Sequence, residues 1–136
     1  MTQLTTSVLA TPEAISALTG DLMEFLKQQQ VDVRATHHVA LVVEELMTNL
    51  GTHGNCQNKP VKVTVTIEPE LVRGEIIDKG PAFDPRKSTP PNLKAIPDAR
   101  SVGGLGLHLV RQLSEALEYA HRNDENHVTF TVARSS

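Results

Sequence analysis

The chain has 136 residues, with 13 basic and 16 acidic side chains intermixed, a formal net charge of −3 and a single cysteine. That length is enough to bury one core, and one domain is expected over residues 1–136. The mixed charge provides no positive field for nucleic acid or an anionic membrane. No window approaches the ~18 consecutive apolar residues of a spanning helix. The start, MTQLTTSVLA, lacks the basic and apolar regions of a signal peptide, and the lone Cys56 cannot form an intramolecular disulfide, so a cytoplasmic location is expected.

In chain order, TQLTTSVLA reads as a short strand. Thr11-Pro12-Glu13 then gives a cap, a first-turn proline and a first-turn acid ahead of Ile15, Leu18, Leu22, Phe25 and Leu26 at helical spacing. Asp32 caps a second predicted helix running to about His53, with Val39, Val43, Leu46 and Leu50 on one face. The runs VKVTVTIE and LVRGEIID, parted by Pro69-Glu70, read as a hairpin with one buried face. Five of the eight prolines fall between Pro81 and Pro97, and a long loop at about 81–103 is expected to act as a lid, with Arg86, Lys87, Lys94 and Arg100 as candidate phosphate contacts. A helix is predicted after Gly103-Gly104-Leu105-Gly106-Leu107. Two last strands follow, LEYAHR and HVTFTVAR, turned by Asn123-Asp124-Glu125-Asn126. This order implies an α+β domain with helices on one face of a mixed, mainly antiparallel sheet.

Three segments carry candidate chemistry. Glu45, Asn49 and His53 fall within a stripe of roughly 80° on the second helix, beside its apolar face. An asparagine oxygen is a hard neutral ligand suited to Mg²⁺, and a glutamate one turn earlier is suited to accept a hydroxyl proton; a merely solvated helix edge has the same pattern. Asp78-Lys79-Gly80-Pro81-Ala82-Phe83-Asp84 stands where a strand gives way to the loop. Its aspartate suits an exocyclic amino group, the feature that separates adenine from guanine, although DKGP is also an ordinary turn. The glycines of GGLGL allow backbone N–H groups at a helix start to crowd a phosphate, or else form a hinge.

Together, helical E-x-x-x-N-x-x-x-H, strand-end D-x-G-x-x-F-D and pre-helical G-G-L-G-L resemble the three nucleotide-binding boxes of the Bergerat ATPase superfamily, which includes histidine kinases and gyrase. The wording EELMTN, DKGPAFDP and GGLGLHLVRQL is most similar to the anti-sigma factor serine/threonine kinases, over nearly the whole chain. The resemblance implies a two-layer α/β sandwich binding ATP and Mg²⁺, with Asn49 on the metal, Glu45 as general base and Asp78 on the adenine. His53, Gly80, Phe83, Gly103, Gly104, Leu105, Gly106 and Leu107 would complete the nucleotide site. It also implies an anti-anti-sigma protein as substrate, a sigma factor as second partner, and a homodimer. A non-catalytic ATP-controlled binding module and the detached ATP-binding part of a histidine kinase are the alternatives. Two features sit uneasily with the pattern: Gly51, which costs a helix up to ~1 kcal/mol relative to alanine, and the polar segment GNCQNKP after His53.

Overall fold

The computed structural model describes residues 2–53, 58–87 and 103–135. Most of the expected lid, including Lys94 and Arg100, lies outside the described residues, as do Gly54 and Cys56. The elements run β1 (Thr2–Val8), α1 (Pro12–Gln28), α2 (Val33–His53), β2 (Val61–Ile67), β3 (Leu71–Asp78), a 3-10 turn (Pro85–Lys87), α3 (Gly103–Leu113), β4 (Ala116–Arg122) and β5 (Glu125–Ala133). The strands form one sheet in the order β1-β2-β3-β5-β4, and all four pairings are antiparallel. An α+β architecture with a mainly antiparallel sheet is therefore present, as the sequence indicates.

Both long helices begin where their caps dictate. The Thr11 hydroxyl accepts from Ala14 N (3.3 Å) with Pro12 in the first turn, and Asp32 accepts from Ala35 N (3.1 Å). Asp32 also accepts from Ser135 N (2.9 Å), while Arg34 donates to Ala133 O (2.9 Å), so the head of α2 is tied to the end of β5. Helix α1 ends with Gln30 at φ 64°; Gln30 N donates to Lys27 O and Val31 N to Leu26 O, which satisfies the last carbonyls in a Schellman closure.

Strand alternation sets the core. Along β3, Val72, Gly74, Ile76 and Asp78 face inward and pair with Val132, Phe130, Val128 and Asn126 of β5. Against this face lie Ile15, Leu18, Leu22 and Leu26 of α1 and Val39, Val43, Leu46 and Met47 of α2, all buried. The opposite face carries a polar row, Thr5-Thr64-Glu75-Thr129-Glu118, which explains why the helices occupy one side only.

Three local features differ from the sequence reading. The turn between β4 and β5 contains only Asn123 and Asp124, at φ 54° and 61°, with Arg122 paired to Glu125. Two left-handed residues suit the twist of a tight hairpin, so Glu125 and Asn126 belong to the strand. The segment GGLGL does not precede the third helix: α3 begins at Gly103, and the glycines form its first turn. Finally, Gly51 is needed for packing, because a Cβ there would collide with the Ala10 carbonyl oxygen. Gly74 is required in the same way by the Phe130 ring.

Helix propensity alone makes Gly51→Ala stabilising by up to ~1 kcal/mol. The Ala10 contact reverses the sign, because the obstacle is backbone and cannot swing aside. The expected result is a loss of about 1–3 kcal/mol, the usual cost of overpacking, read from urea unfolding midpoints at constant m-value. A variant as stable as wild type would show that α2 and the segment at Ala10 separate easily.

Candidate nucleotide-binding site

The inward alternation of β3 changes character at its last rung. After Val72 and Ile76 the next inward side chain after two residues is Asp78, which is only 2% exposed. A carboxylate withdrawn from water needs donors. Asp78 Oδ1 accepts from Gly80 N at 2.8 Å and from Asn126 Nδ2 at 3.0 Å. The first bond curls the DKGP segment back over the strand end, which is how the chain leaves β3 for the loop.

Helix α2 crosses the same end of the sheet and contributes Asn49, 7% exposed. Asn49 and Asp78 line one small pocket together with Leu46, Leu50, Ile76, Phe83, Pro85 and Val128. Residues far apart in the chain thus meet because α2 lies across the ends of β3 and β5. Asn49 Oδ1 is buried and has no hydrogen-bond partner among the described residues. An unsatisfied amide oxygen in an apolar wall is costly, and it is the kind of atom a hard cation or a ligand donor would satisfy. Among the described residues no three His, Cys, Asp or Glu side chains cluster at metal-binding distance. Mg²⁺ beside a nucleotide commonly keeps several waters and shares phosphate oxygens, so a single amide oxygen is a sufficient protein contribution to such a site.

Glu45 stands one turn before Asn49 on α2, half-buried, and is not among the residues lining this pocket. Burial, with a smaller contribution from neighbouring Glu44, raises its carboxyl above the usual glutamate range. Phe83 forms part of the pocket wall while remaining 41% exposed. Gly80 bonds the Asp78 carboxylate through its backbone. Leu107 is buried in the core beside Val110, so its side chain serves packing. Gly103, Gly104, Leu105 and Gly106 form the first turn of α3, which packs on α2; their side-chain surroundings, and the His53 side chain, lie outside the described residues.

Arg86 does not reach into the pocket. It chelates Asp84 with Nε at 3.0 Å and Nη2 at 2.8 Å, and its guanidinium carbon lies over the Tyr119 ring, 6.0 Å from the centroid. A bidentate pair of this geometry commits the guanidinium to shaping the 3-10 turn. The residue missed by sequence reading is Asn126, assigned there to a turn; the two-residue hairpin places it on β5 opposite Asp78. Its signal was available as a polar residue in the inward phase set by Val128, Phe130 and Val132.

A larger groove of about 530 Å³ runs between α1 and α2 past Ser16, Thr19, Glu44 and Thr48. It does not contain the pair of buried polar side chains, which makes the smaller pocket the candidate site.

The histidine kinase-like ATPase domain model matches residues 8–132. The serine/threonine-protein kinase BtrW of Bordetella bronchiseptica is 32% identical over 96 residues, covering 68% of this chain and 67% of the relative. Among solved structures, the RsbU and RsbW domains of Rv1364c from Mycobacterium tuberculosis superpose with a TM-score of 0.71 at 18% identity, covering all of this chain and 34% of that one. This chain thus spans about a third of the mycobacterial one. A chain of the SiaB–SiaC complex from Pseudomonas aeruginosa gives a TM-score of 0.58 at 15% identity over 96% of this chain and 89% of that chain. At such identities the two structures speak to the fold. The match over nearly the whole length, on a sheet and helices that bring Asn49 and Asp78 into one pocket, establishes that the chain belongs to the histidine kinase-like ATPase domain family and is an ATP-binding domain.

Proposed function

We propose that the protein is an ATP-dependent serine/threonine kinase that acts as an anti-sigma factor, phosphorylating an anti-anti-sigma partner and sequestering a sigma factor. The observation that carries this reading is the convergence of the unsatisfied Asn49 oxygen and the buried Asp78 carboxylate, with a raised-pKa glutamate one helical turn from the former. The name of the Bordetella relative supports the serine/threonine assignment, and the partner-switching setting rests on the resemblance of EELMTN, DKGPAFDP and GGLGLHLVRQL to the anti-sigma factor kinases. A single cytoplasmic domain working as a homodimer is part of the same proposal. No helix among the described residues is long and apolar enough to cross a membrane.

In this mechanism Asp78 accepts from the adenine amine, and backbone N–H groups at the start of α3 face the phosphates. Asn49 Oδ1 would hold Mg²⁺, which when bound offsets phosphate charge. The Glu45 carboxylate takes the proton of the partner hydroxyl as its oxygen bonds the γ-phosphorus, the bond to the bridging oxygen breaks, and ADP leaves. Positioning and electrostatics supply most of the acceleration in such a transfer. Because Glu45 stands outside the pocket lining, a second reading has footing: an ATP-controlled binding module that does not transfer phosphate.

Transfer from labelled ATP to a partner co-purified from the native cell separates the two. The kinase reading expects a phosphorylated serine or threonine; a partner that binds yet stays unlabelled supports the module. Glu45→Gln should keep ATP affinity and lose transfer by about 10²- to 10⁴-fold, the usual contribution of a positioned base. Transfer should also fall on acidification with an inflection above the ordinary glutamate range, since protonated Glu45 cannot accept a proton. The linkage sign agrees: with the folded pKa raised, the proton-linked stability of Glu45 is fully present below the unfolded value and is lost as pH rises through the folded one. Glu45→Gln should therefore be no less stable than wild type at neutral pH. Wild-type transfer by Glu45→Gln would remove Glu45 from the chemistry.

Asn49→Leu tests the other half of the site. Replacing an unpartnered buried amide with an apolar group should raise the stability of the ligand-free protein by about 1 kcal/mol, within the usual desolvation cost of such a group, while Mg²⁺-dependent ATP binding is lost. Thermal unfolding and calorimetry read the two effects separately. Unchanged Mg²⁺ dependence would exclude Asn49 as the ligand.

A further inference from the structure

The inward-facing polar rung at the pocket end of the sheet extends beyond Asp78. In register across three strands stand Asp78 on β3, Asn126 on β5 and His121 on β4. Asn126 is 2% exposed, and its amide is satisfied at both ends. Nδ2 donates toward Asp78 Oδ1 (3.0 Å), Pro81 O (2.9 Å) and Gly80 O (3.3 Å). Oδ1 accepts from the Tyr119 hydroxyl at 2.5 Å and lies 3.0 Å from His121 Nδ1. These partners fix the amide's orientation: three acceptors surround its nitrogen and a hydroxyl donor meets its oxygen. A flipped amide would set its oxygen against a carboxylate and two carbonyls. Because Oδ1 only accepts, the hydrogen bond with His121 requires a hydrogen on Nδ1.

We propose that Asn126, held by Tyr119 and His121, is a positioning residue that sets the adenine specificity of the site. It acts through Asp78. One Asp78 oxygen is bound by both Gly80 N and Asn126, which fixes the carboxylate plane and so the direction in which it meets a purine edge. The same amide grips the Gly80 and Pro81 carbonyls, so the turn and the carboxylate are oriented as one unit. A carboxylate so oriented accepts from the 6-amino group of adenine and opposes the 6-oxo group of guanine. A loosely held carboxylate would do both less well, since discrimination depends on the group being buried and aimed. Arg86, stacked on Tyr119 and chelating Asp84, connects this arrangement to the base of the following loop.

The inference rests on the proposed role of Asp78 on adenine, and the experiment separates the two. Calorimetry compares ATP with purine riboside 5′-triphosphate, which lacks only the 6-amino group, and with GTP. Wild type should favour ATP over both; equal affinity for ATP and the amine-free analogue in wild type would overturn the assignment of Asp78 and this inference with it. Asn126→Ala, if folded by circular dichroism, should lose about tenfold in ATP affinity while binding the analogue within about twofold of wild type, the loss of roughly one oriented hydrogen bond. Tyr119→Phe keeps the ring beneath Arg86 and removes only the hydroxyl; it should lower the ATP-to-analogue ratio about threefold, and it decides the matter if Asn126→Ala does not fold. With a selective wild type, an unchanged ratio in the folded variants, or equal losses for both ligands, would reduce Asn126 to a scaffold residue and overturn the inference alone.

Discussion

The burial of one carboxylate at the end of β3 constrains much of the rest of the site. Asp78 has left water almost wholly, and a charge in that position persists only with donors close by. One donor, Gly80 N, requires the chain to turn sharply after the strand. Another, Asn126, requires β5 to be in register with β3 so that a polar residue falls opposite Asp78. That register in turn follows from the alternation of β5, whose Val128, Phe130 and Val132 face the core, since a slip of one residue would turn Asn126 to the solvent face and Phe130 out of the core. The pocket floor and the hydrophobic core are thus specified by the same strand phase.

Against this satisfied network stands a group left without a partner. Asn49 Oδ1 is buried and unbonded among the described residues, and Glu45 on the same helix edge is held in a setting that disfavours its charge. Neither arrangement favours the ligand-free fold. Such a polar, incompletely satisfied edge is the common pattern in which a functional surface is less stable than the sequence permits. The apolar stripe of α2, with Val39, Val43, Leu46 and Met47 fully or almost fully buried, holds the helix in place despite that cost.

Close approach is the second constraint. Helix α2 reaches the sheet end only because Gly51 admits the Ala10 carbonyl, and the Phe130 ring lies over β3 only because Gly74 has no side chain. Each glycine looks like a defect in its own element, one in the last turn of a helix and the other inside a strand. Each is explained by an atom from a distant part of the chain.

The local elements were legible in the sequence because their signals are local: Thr11-Pro12 and Asp32 cap the helices, Val61, Val63 and Val65 alternate, and the three polar motifs stand in the order of an ATP-binding family. Asn49 and Asp78, which the fold brings to one pocket, likewise stand at recognisable spacings in the sequence. What only the tertiary structure decided is how distant groups meet. Asn126 read as part of a turn because its partner lies 48 positions away, and a polar residue following Asn-Asp carries no mark of that partner. Arg86 read as a phosphate contact because a loop arginine has no visible commitment until Asp84 and the Tyr119 ring are placed around it. Leu107 read as part of the nucleotide loop, yet helical phase turns its side chain into the core. Periodicity and capping are encoded within a few residues, whereas a hydrogen bond between strands or a steric contact between a helix and a loop exists only after the core has brought its two ends together.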